Sequence, residues 1–207
     1  YIIGAGQLGI LVSKIVERQN KYKVIGFIDF DVKKIGKKIN GIKVLGNDYY
    51  LKKFLNKNKK NIVFAIGDIK KRENVIKIFK KFKINYPKII DPSALILDKE
   101  TTIGKGSIIS IGARILNHCK IGSFSVVGTS STILHNTILG NNSVIGGGST
   151  IGASAKIGKN VLIGVGSTVS SGGINIGENS LVSSGSAVLK SVKANSKVIG
   201  NPAKIII

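Results

Sequence analysis

Two histidines, one cysteine and a glycine-rich turn are the parts of this 207-residue chain whose types could do chemistry. An imidazole, with an ordinary pKa near 6.5, can take up a proton at neutral pH, and a thiol can carry an acyl group. His118 and His135 are too few for a closed zinc site, and the single Cys119 cannot form an internal disulfide. Gly4-Ala5-Gly6-Gln7-Leu8-Gly9 follows an apolar strand signal with the spacing of a dinucleotide-binding fingerprint. Asp29 lies 20 residues beyond Gly9, where an acid would meet a ribose. Glycines there let backbone N–H groups approach a phosphate at a helix N-terminus, although the same residues also suit a tight structural turn.

These groups need elements to hold them, and the first stretch alternates strand and helix. Tyr1 to Ile3 reads as a strand, Leu8 to Val16 as a helix, Val24 to Ile28 as a strand ending at Asp29, and Val44-Leu45 as a short strand before Gly46. Asp48 then caps a helix reaching about Asn56, Ile62 to Ile66 is a buried strand, and Lys70 to Phe82 is a helix. The order predicts a small α/β, Rossmann-like domain over residues 1–90. That length falls short of the two mononucleotide halves of a full dinucleotide site, which favours a nucleotide moiety over NAD. Asp91-Pro92-Ser93 breaks the pattern and the composition turns from Lys-rich to Gly/Ser/Ile-rich, so a second domain is expected over 91–207.

Internal repetition sets the fold of that second domain. Aliphatics follow one another at a spacing of six from Leu97, Ile103 and Ile109 through Val169, with a small or turn-tolerant residue four positions on, such as Ser107, Ala113, Cys119, Ser125 and Ser131. One extra residue falls within Ser170 to Asn175, after which Ile176, Val182 and Val188 resume the pattern. Each hexapeptide is a short strand plus a corner, and three of them close a triangular coil. The expectation is an all-β, left-handed parallel β-helix with a dry aliphatic core. In that register Cys119 is a structural corner residue. His118 lies 18 residues before Asn136, one full coil, which stacks it on Asn136 and diagonally beside His135.

Composition agrees with a glycine-punctuated aliphatic core: 26 Gly, 43% hydrophobic residues and no Trp. The formal net charge of +22 invites a nucleic-acid reading. Only Arg18, Arg72 and Arg114 are arginines, however, and runs such as Lys52, Lys53, Lys57, Lys59 and Lys60 lack interleaved aromatics. A solvated Lys-rich surface that attracts small polyanions is expected, without nucleic acid as a partner. No apolar run has membrane-spanning length and no signal peptide is visible, so a cytoplasmic protein without membrane insertion is expected. The chain opens on a strand at Tyr1 and contains no Met, which implies that a few native residues precede it.

Several segments together resemble the bacterial sugar O- and N-acetyltransferases, the family of the sialic acid O-acetyltransferases and the nucleotide-aminosugar N-acetyltransferases. They are Ile2-Ile3-Gly4-Ala5-Gly6, Gly26-Phe27-Ile28-Asp29, Gly41-Ile42-Lys43-Val44-Leu45-Gly46, Ala65-Ile66-Gly67-Asp68 with Arg72, Pro92-Ser93-Ala94, the hexapeptide array, and Gly200-Asn201-Pro202-Ala203-Lys204. With so few candidate ligands no metal is expected, and the resemblance implies acetyl-CoA as co-substrate, a homotrimer with the coenzyme between neighbouring β-helices, and a role in surface glycan biosynthesis. It further implies that the N-terminal domain holds the nucleotide part of a sugar donor. Carried over residue by residue, it makes His135 the general base, with Asn136 where the family has an acidic partner and His118 in support. Gly6, Gln7, Leu8, Asp29, Phe30, Gly67 and Asp68 would bind the sugar nucleotide, and Val144, Val165, Ser184 and Lys204 the coenzyme. The chain departs from the pattern at Leu8 and Val144, each a His in the family, at Phe30, often a second acid, and at Asn136. The alternatives are a non-catalytic homologue of the same fold and an NAD-binding protein fused to a β-helix.

Overall fold

The computed structural model describes residues 1–55 and 60–206, and the chain divides into two compact units, Tyr1–Ile89 and Ile90–Ile207. In the first unit the elements run β1 (Ile2–Ile3), α1 (Gln7–Gln19), β2 (Phe27–Ile28), β3 (Lys38–Ile39), β4 (Ile42–Gly46), α2 (Asp48–Leu55), β5 (Lys60–Asn61), β6 (Val63–Phe64), α3 (Ile69–Phe79) and β7 (Ile84–Asn85). A five-stranded sheet has the order β3-β4-β2-β1-β6, parallel except for the β3–β4 hairpin. Its central strands are short apolar runs buried on both faces, as parallel strands are. α1 buries Val12, Ser13, Ile15 and Val16 at helical spacing and ends at Asn20 in the left-handed region.

Several element ends shift by one to three residues, as in Val63–Phe64 and Ile69–Phe79, and three further differences have a physical reason. The cap of α2 is Asn47, whose Oδ1 accepts from Tyr50 N at 3.2 Å, and Asp48 is the first helical residue. Asn and Asp both cap well, so the sequence alone does not choose between neighbours. The strand expected over Val24 to Ile28 shrinks to Phe27–Ile28. The β3–β4 hairpin was not anticipated, although its two-residue turn, Asn40-Gly41 with both φ positive, is the strongest short hairpin signal a sequence carries. The expected helix end at Asn56, and Lys57 and Lys59, lie outside the described residues.

The second unit is a parallel β-helix. Two-residue strands stack coil on coil into three sheets, and every ladder between Thr102–Ile103 and Ala187–Val188 is parallel with a register of 18 or 19 residues. From Ile103 to Val188 each aliphatic of the repeat is buried in one continuous core. Corner serines are buried as well, and stacking satisfies them: Ser125 Oγ donates to Gly140 O at 2.8 Å and accepts from Ser143 N at 3.3 Å, and Ser143 repeats this one coil on. Leu97 departs from the expected pattern, being 54% exposed while Ile96 pairs with Ile115 and packs on the core. The spacing from Ile96 to Ile103 is therefore seven instead of six, and the extra residue widens the turn at Asp98–Thr101. The later insertion is taken up at Gly172 and Gly173, both with positive φ. Among the described residues, no helix is long and apolar enough to cross a membrane.

Candidate active site

In the α/β unit, β1 is flanked by β2 on one side and β6 on the other, so the strand order reverses between β1 and β6. Ligands of open parallel sheets settle outside the carboxyl ends of strands at such a point. Gly6, Gln7 and Leu8 follow β1, Gly67 and Asp68 follow β6, and Asp29 and Phe30 follow β2, so all seven anticipated residues stand at the carboxyl ends of adjacent strands. The fingerprint glycines differ in what requires them. A Cβ on Gly4, whose φ is +107, would land on Ala65 O, and one on Gly9 would land on Gly4 O, whereas a Cβ on Gly6 would meet nothing within 4 Å. Packing accounts for Gly4 and Gly9, and Gly6 is exposed at the N-terminus of α1.

Asp29 is not an open ribose ligand in this structure. Its Oδ2 accepts from Ala5 N at 2.7 Å and from Lys34 Nζ at 3.1 Å, and its Oδ1 from Asp31 N at 2.9 Å. Burial pushes this carboxyl up, but the backbone N–H groups of Asp31 and Ala5 and the Lys34 ammonium outweigh it and hold the group below its ordinary range. Phe30 beside it is 44% exposed. Asp68 caps α3 through Lys71 N at 2.9 Å. Arg72 is buried and donates from Nη1 to Ile66 O at 2.8 Å; burial pulls its guanidinium down to about 10 against the opposing pull of Asp68. Two cavities of about 500 and 580 Å³ in this unit, lined by residues such as Tyr22, Lys23 and Val24, touch none of the seven.

In the β-helix the histidines gather on one edge. Residues 116–118, 134–136 and 152–154 form successive corners of that edge, tied by Asn136 N to Asn117 O at 3.0 Å and Ser154 N to His135 O at 2.9 Å. His118 stacks one coil from Asn136, and both adopt the left-handed conformation, φ 56 and 59. His135 and Asn136 are exposed, and Asn136 Nδ2 lies 3.1 Å from His135 Nδ1. A primary amide can present either end to a ring. With Nδ2 inward, Nδ1 is the acceptor and a neutral imidazole carries its proton on Nε2; with the amide turned over, Oδ1 accepts Nδ1–H and Nε2 is free to act as a base.

His118 has a different neighbour. Asp98 Oδ2 accepts from His118 N at 2.8 Å and lies 3.8 Å from His118 Nδ1, while Asp98 Oδ1 accepts from Thr101 N at 2.8 Å. The hydrogen bond from the Thr101 side chain, with those from the His118 and Thr101 backbones and the His118 charge, holds the Asp98 carboxyl below its ordinary range. Asp98 was missed in the sequence because Leu97 stands six residues before Ile103 and hides the extra turn residue; the Asp-x-x-Thr spacing was the available signal. Cys119 is buried, its Sγ donating to Leu134 O at 3.2 Å, and burial pushes the thiol up and away from thiolate reactivity.

The residues anticipated for the coenzyme belong elsewhere on the prism. Val144 sits mid-sheet between Val126 and Leu162, Val165 and Ser184 are exposed successive corners of that same sheet, and Lys204 lies in its terminal antiparallel hairpin. They share one sheet and its corner, while the histidines occupy the next corner along the chain.

Known families cover most of the chain. The PglD N-terminal domain matches residues 1–79, bacterial transferase hexapeptide repeats match 118–153 and 136–171, and the hexapeptide repeat of succinyl-transferase matches 155–190. Among solved structures, PerB of Caulobacter crescentus, a GDP-perosamine N-acetyltransferase determined with CoA and GDP-perosamine, is 25% identical over 99% of this chain and 95% of its own, with a TM-score of 0.91. WeeI of Acinetobacter baumannii AYE is 28% identical over 99% and 98%, with a TM-score of 0.75. On these matches the chain is a bacterial sugar acetyltransferase. The acetyltransferase domain of PglB from Neisseria gonorrhoeae FA1090, solved with acetyl coenzyme A, shares the transferase's fold at 22% identity over 99% and 97%, with a TM-score of 0.89. No curated protein matches the transferase in sequence.

Proposed function

We propose that this transferase moves an acetyl group from acetyl-CoA to the amino group of a nucleotide-linked sugar in the cytoplasm, as a step in surface glycan biosynthesis. The observation that carries the proposal is the match along 99% of the chain to an N-acetyltransferase that binds CoA and GDP-perosamine. In this reading the α/β unit is Rossmann-like and takes the nucleotide at the carboxyl ends of β1, β2 and β6. The β-helix is left-handed and does the chemistry. His135, with Asn136 presenting Oδ1 to Nδ1–H, removes a proton from the attacking nitrogen through Nε2, and a backbone N–H stabilises the tetrahedral oxyanion. Because Val165 and Ser184 occupy a different edge from His135, coenzyme and base meet between two copies, which supports a homotrimer.

A thermal-shift panel of acetyl-CoA, UDP, GDP, CMP and NAD separates this reading from its alternatives, since a ligand at 100 times its Kd adds about 2.7 kcal/mol. Acetyl-CoA and one nucleotide are expected to shift the transition; NAD alone doing so would overturn the reading. Turnover is then measured by CoA release with GDP-, UDP-, dTDP- and CMP-linked aminosugars. His135→Ala is expected to lower kcat roughly 100-fold while acetyl-CoA binding is retained, and Asn136→Asp, which offers imidazolium a charge, to leave it level or raise it. Wild-type turnover in His135→Ala would remove His135 from the role.

A further inference from the structure

Acetylating an aminosugar from its ammonium form releases two protons. The first must leave before nitrogen has a lone pair to attack with. The second leaves as the C–N bond forms, and it returns to the sulfur when the C–S bond breaks. The balance is ammonium plus thioester giving amide, thiol and one free proton. One imidazole at a time holds one proton, so a corner with two imidazoles can divide this work.

The histidine edge has two, in unlike surroundings. The neighbour of His135 Nδ1 is an amide that can donate or accept. The neighbour of His118 Nδ1 is a carboxylate, which only accepts. Asp98 is in turn fixed: its side chain is 17% exposed and accepts from Thr101 N and His118 N across two coils. His118 is held at φ 56 in a left-handed corner, with 56% of its side chain exposed. At 3.8 Å the carboxylate is an ion-pair neighbour of Nδ1, longer than a hydrogen bond; its charge favours the tautomer with the proton on Nδ1 and the Nε2 lone pair outward, and it offsets the charge when Nε2 takes a proton.

We propose that Asp98 is a positioning residue that holds His118 as the second base of this corner, the one that strips the first proton from the aminosugar ammonium and leaves the second to His135. The proposal rests on the acetyl-transfer reading for its substrate. The other charged groups on the turns around His118 are Lys99 and Glu100 in the coil before, Lys120 two residues on and His135 in the coil after.

The chain has only two histidines, so the imidazole nitrogens of the 15N-labelled full-length protein are assigned with His135→Gln alone. His118 is expected with its proton on Nδ1, and Asp98→Asn is expected to abolish that preference. A proton on Nε2, or a tautomer indifferent to Asp98→Asn, overturns the pairing. Should Asp98→Asn unfold the turn it caps, His118→Gln keeps the caps and carries the kinetic test. With acetyl-CoA and the aminosugar nucleotide turned over in the panel, His118→Gln is expected to lower kcat about tenfold or more at pH 7 without changing KM for acetyl-CoA. The lost rate should return as pH rises and solvent deprotonates the amine. A rate deficit constant across pH overturns the base role. The expected tautomer with no acceptor turned over would instead refute the proposed reaction and leave the pairing standing.

Discussion

The Asp29 carboxylate takes three hydrogen bonds from its own chain, which binds the turn after β1 to the segment after β2. Its pKa in the fold lies below its ordinary value near 3.9, so the ionised form favours the fold. The stabilisation is therefore fully present above about pH 4 and is lost as pH falls through that value toward the lower folded pKa. Asp29→Asn is expected to lower the urea midpoint at pH 7, with the gap to wild type narrowing as pH falls below about 4; an unchanged midpoint at pH 7 would mean that the three bonds contribute no net stability. Residue chemistry was only partly legible in the sequence. His135 and His118 stand out by type and by their place in the repeat, and their shared edge follows from the 18-residue coil. Asp98 does not, because a carboxylate in a polar turn looks like any other until the turn is known to be one residue longer than its neighbours.

Elements were more legible than residues where a period could be counted. Each inward aliphatic of the repeat has no alternative place to bury itself, so the spacing of six propagates from Ile103 to Val169 and the slip between Ser170 and Asn175 is visible at once. The α/β unit has no such repetition. Its strands are mostly two residues long, and their ends depend on pairing that no local signal encodes, as Phe27–Ile28 shows. The glycine-rich turn separates two element-scale demands. Gly9→Ala drives a methyl into Gly4 O where α1 crosses β1, whereas Gly6 has ordinary φ and open space. Gly9→Ala is expected to lower the melting temperature, and Gly6→Val to leave it within a degree or two while weakening binding of the nucleotide found in the panel by about tenfold, the cost of crowding a helix N-terminus proposed to face phosphate. Equal nucleotide affinity in Gly6→Val and wild type, read by calorimetry, would move the nucleotide away from α1.

Charge and assembly belong to the whole molecule. Of the 32 basic residues 22 lie in residues 1–89, against 6 of the 10 acidic ones, so the unit proposed to bind a nucleotide carries most of the +22. A potential of that sign draws polyanions in and is screened by salt, and nucleotide affinity is expected to fall as NaCl rises from 50 to 500 mM. The β-helix adds a second surface. One sheet turns the aliphatics Val144, Leu162 and Leu181 outward in register, half-buried on the single chain, where the opposite positions of another sheet are Lys120, Ile138 and Lys156. An apolar ladder on a flat face favours association with a like surface, and in the proposed assignment the separation of Val165 and Ser184 from His135 onto different edges would leave a single chain without a complete site. Leu162→Glu places a charge in the middle of that ladder without touching the inward Ile163. Light scattering is expected to give the wild type three times the 21.9 kDa chain mass and the variant a smaller one, with the β-rich circular dichroism unchanged and acetyl transfer lost together with the assembly. A wild-type protein that is monomeric at micromolar concentration yet fully active would overturn the shared site, because every residue of the reaction would then have to be found on one chain.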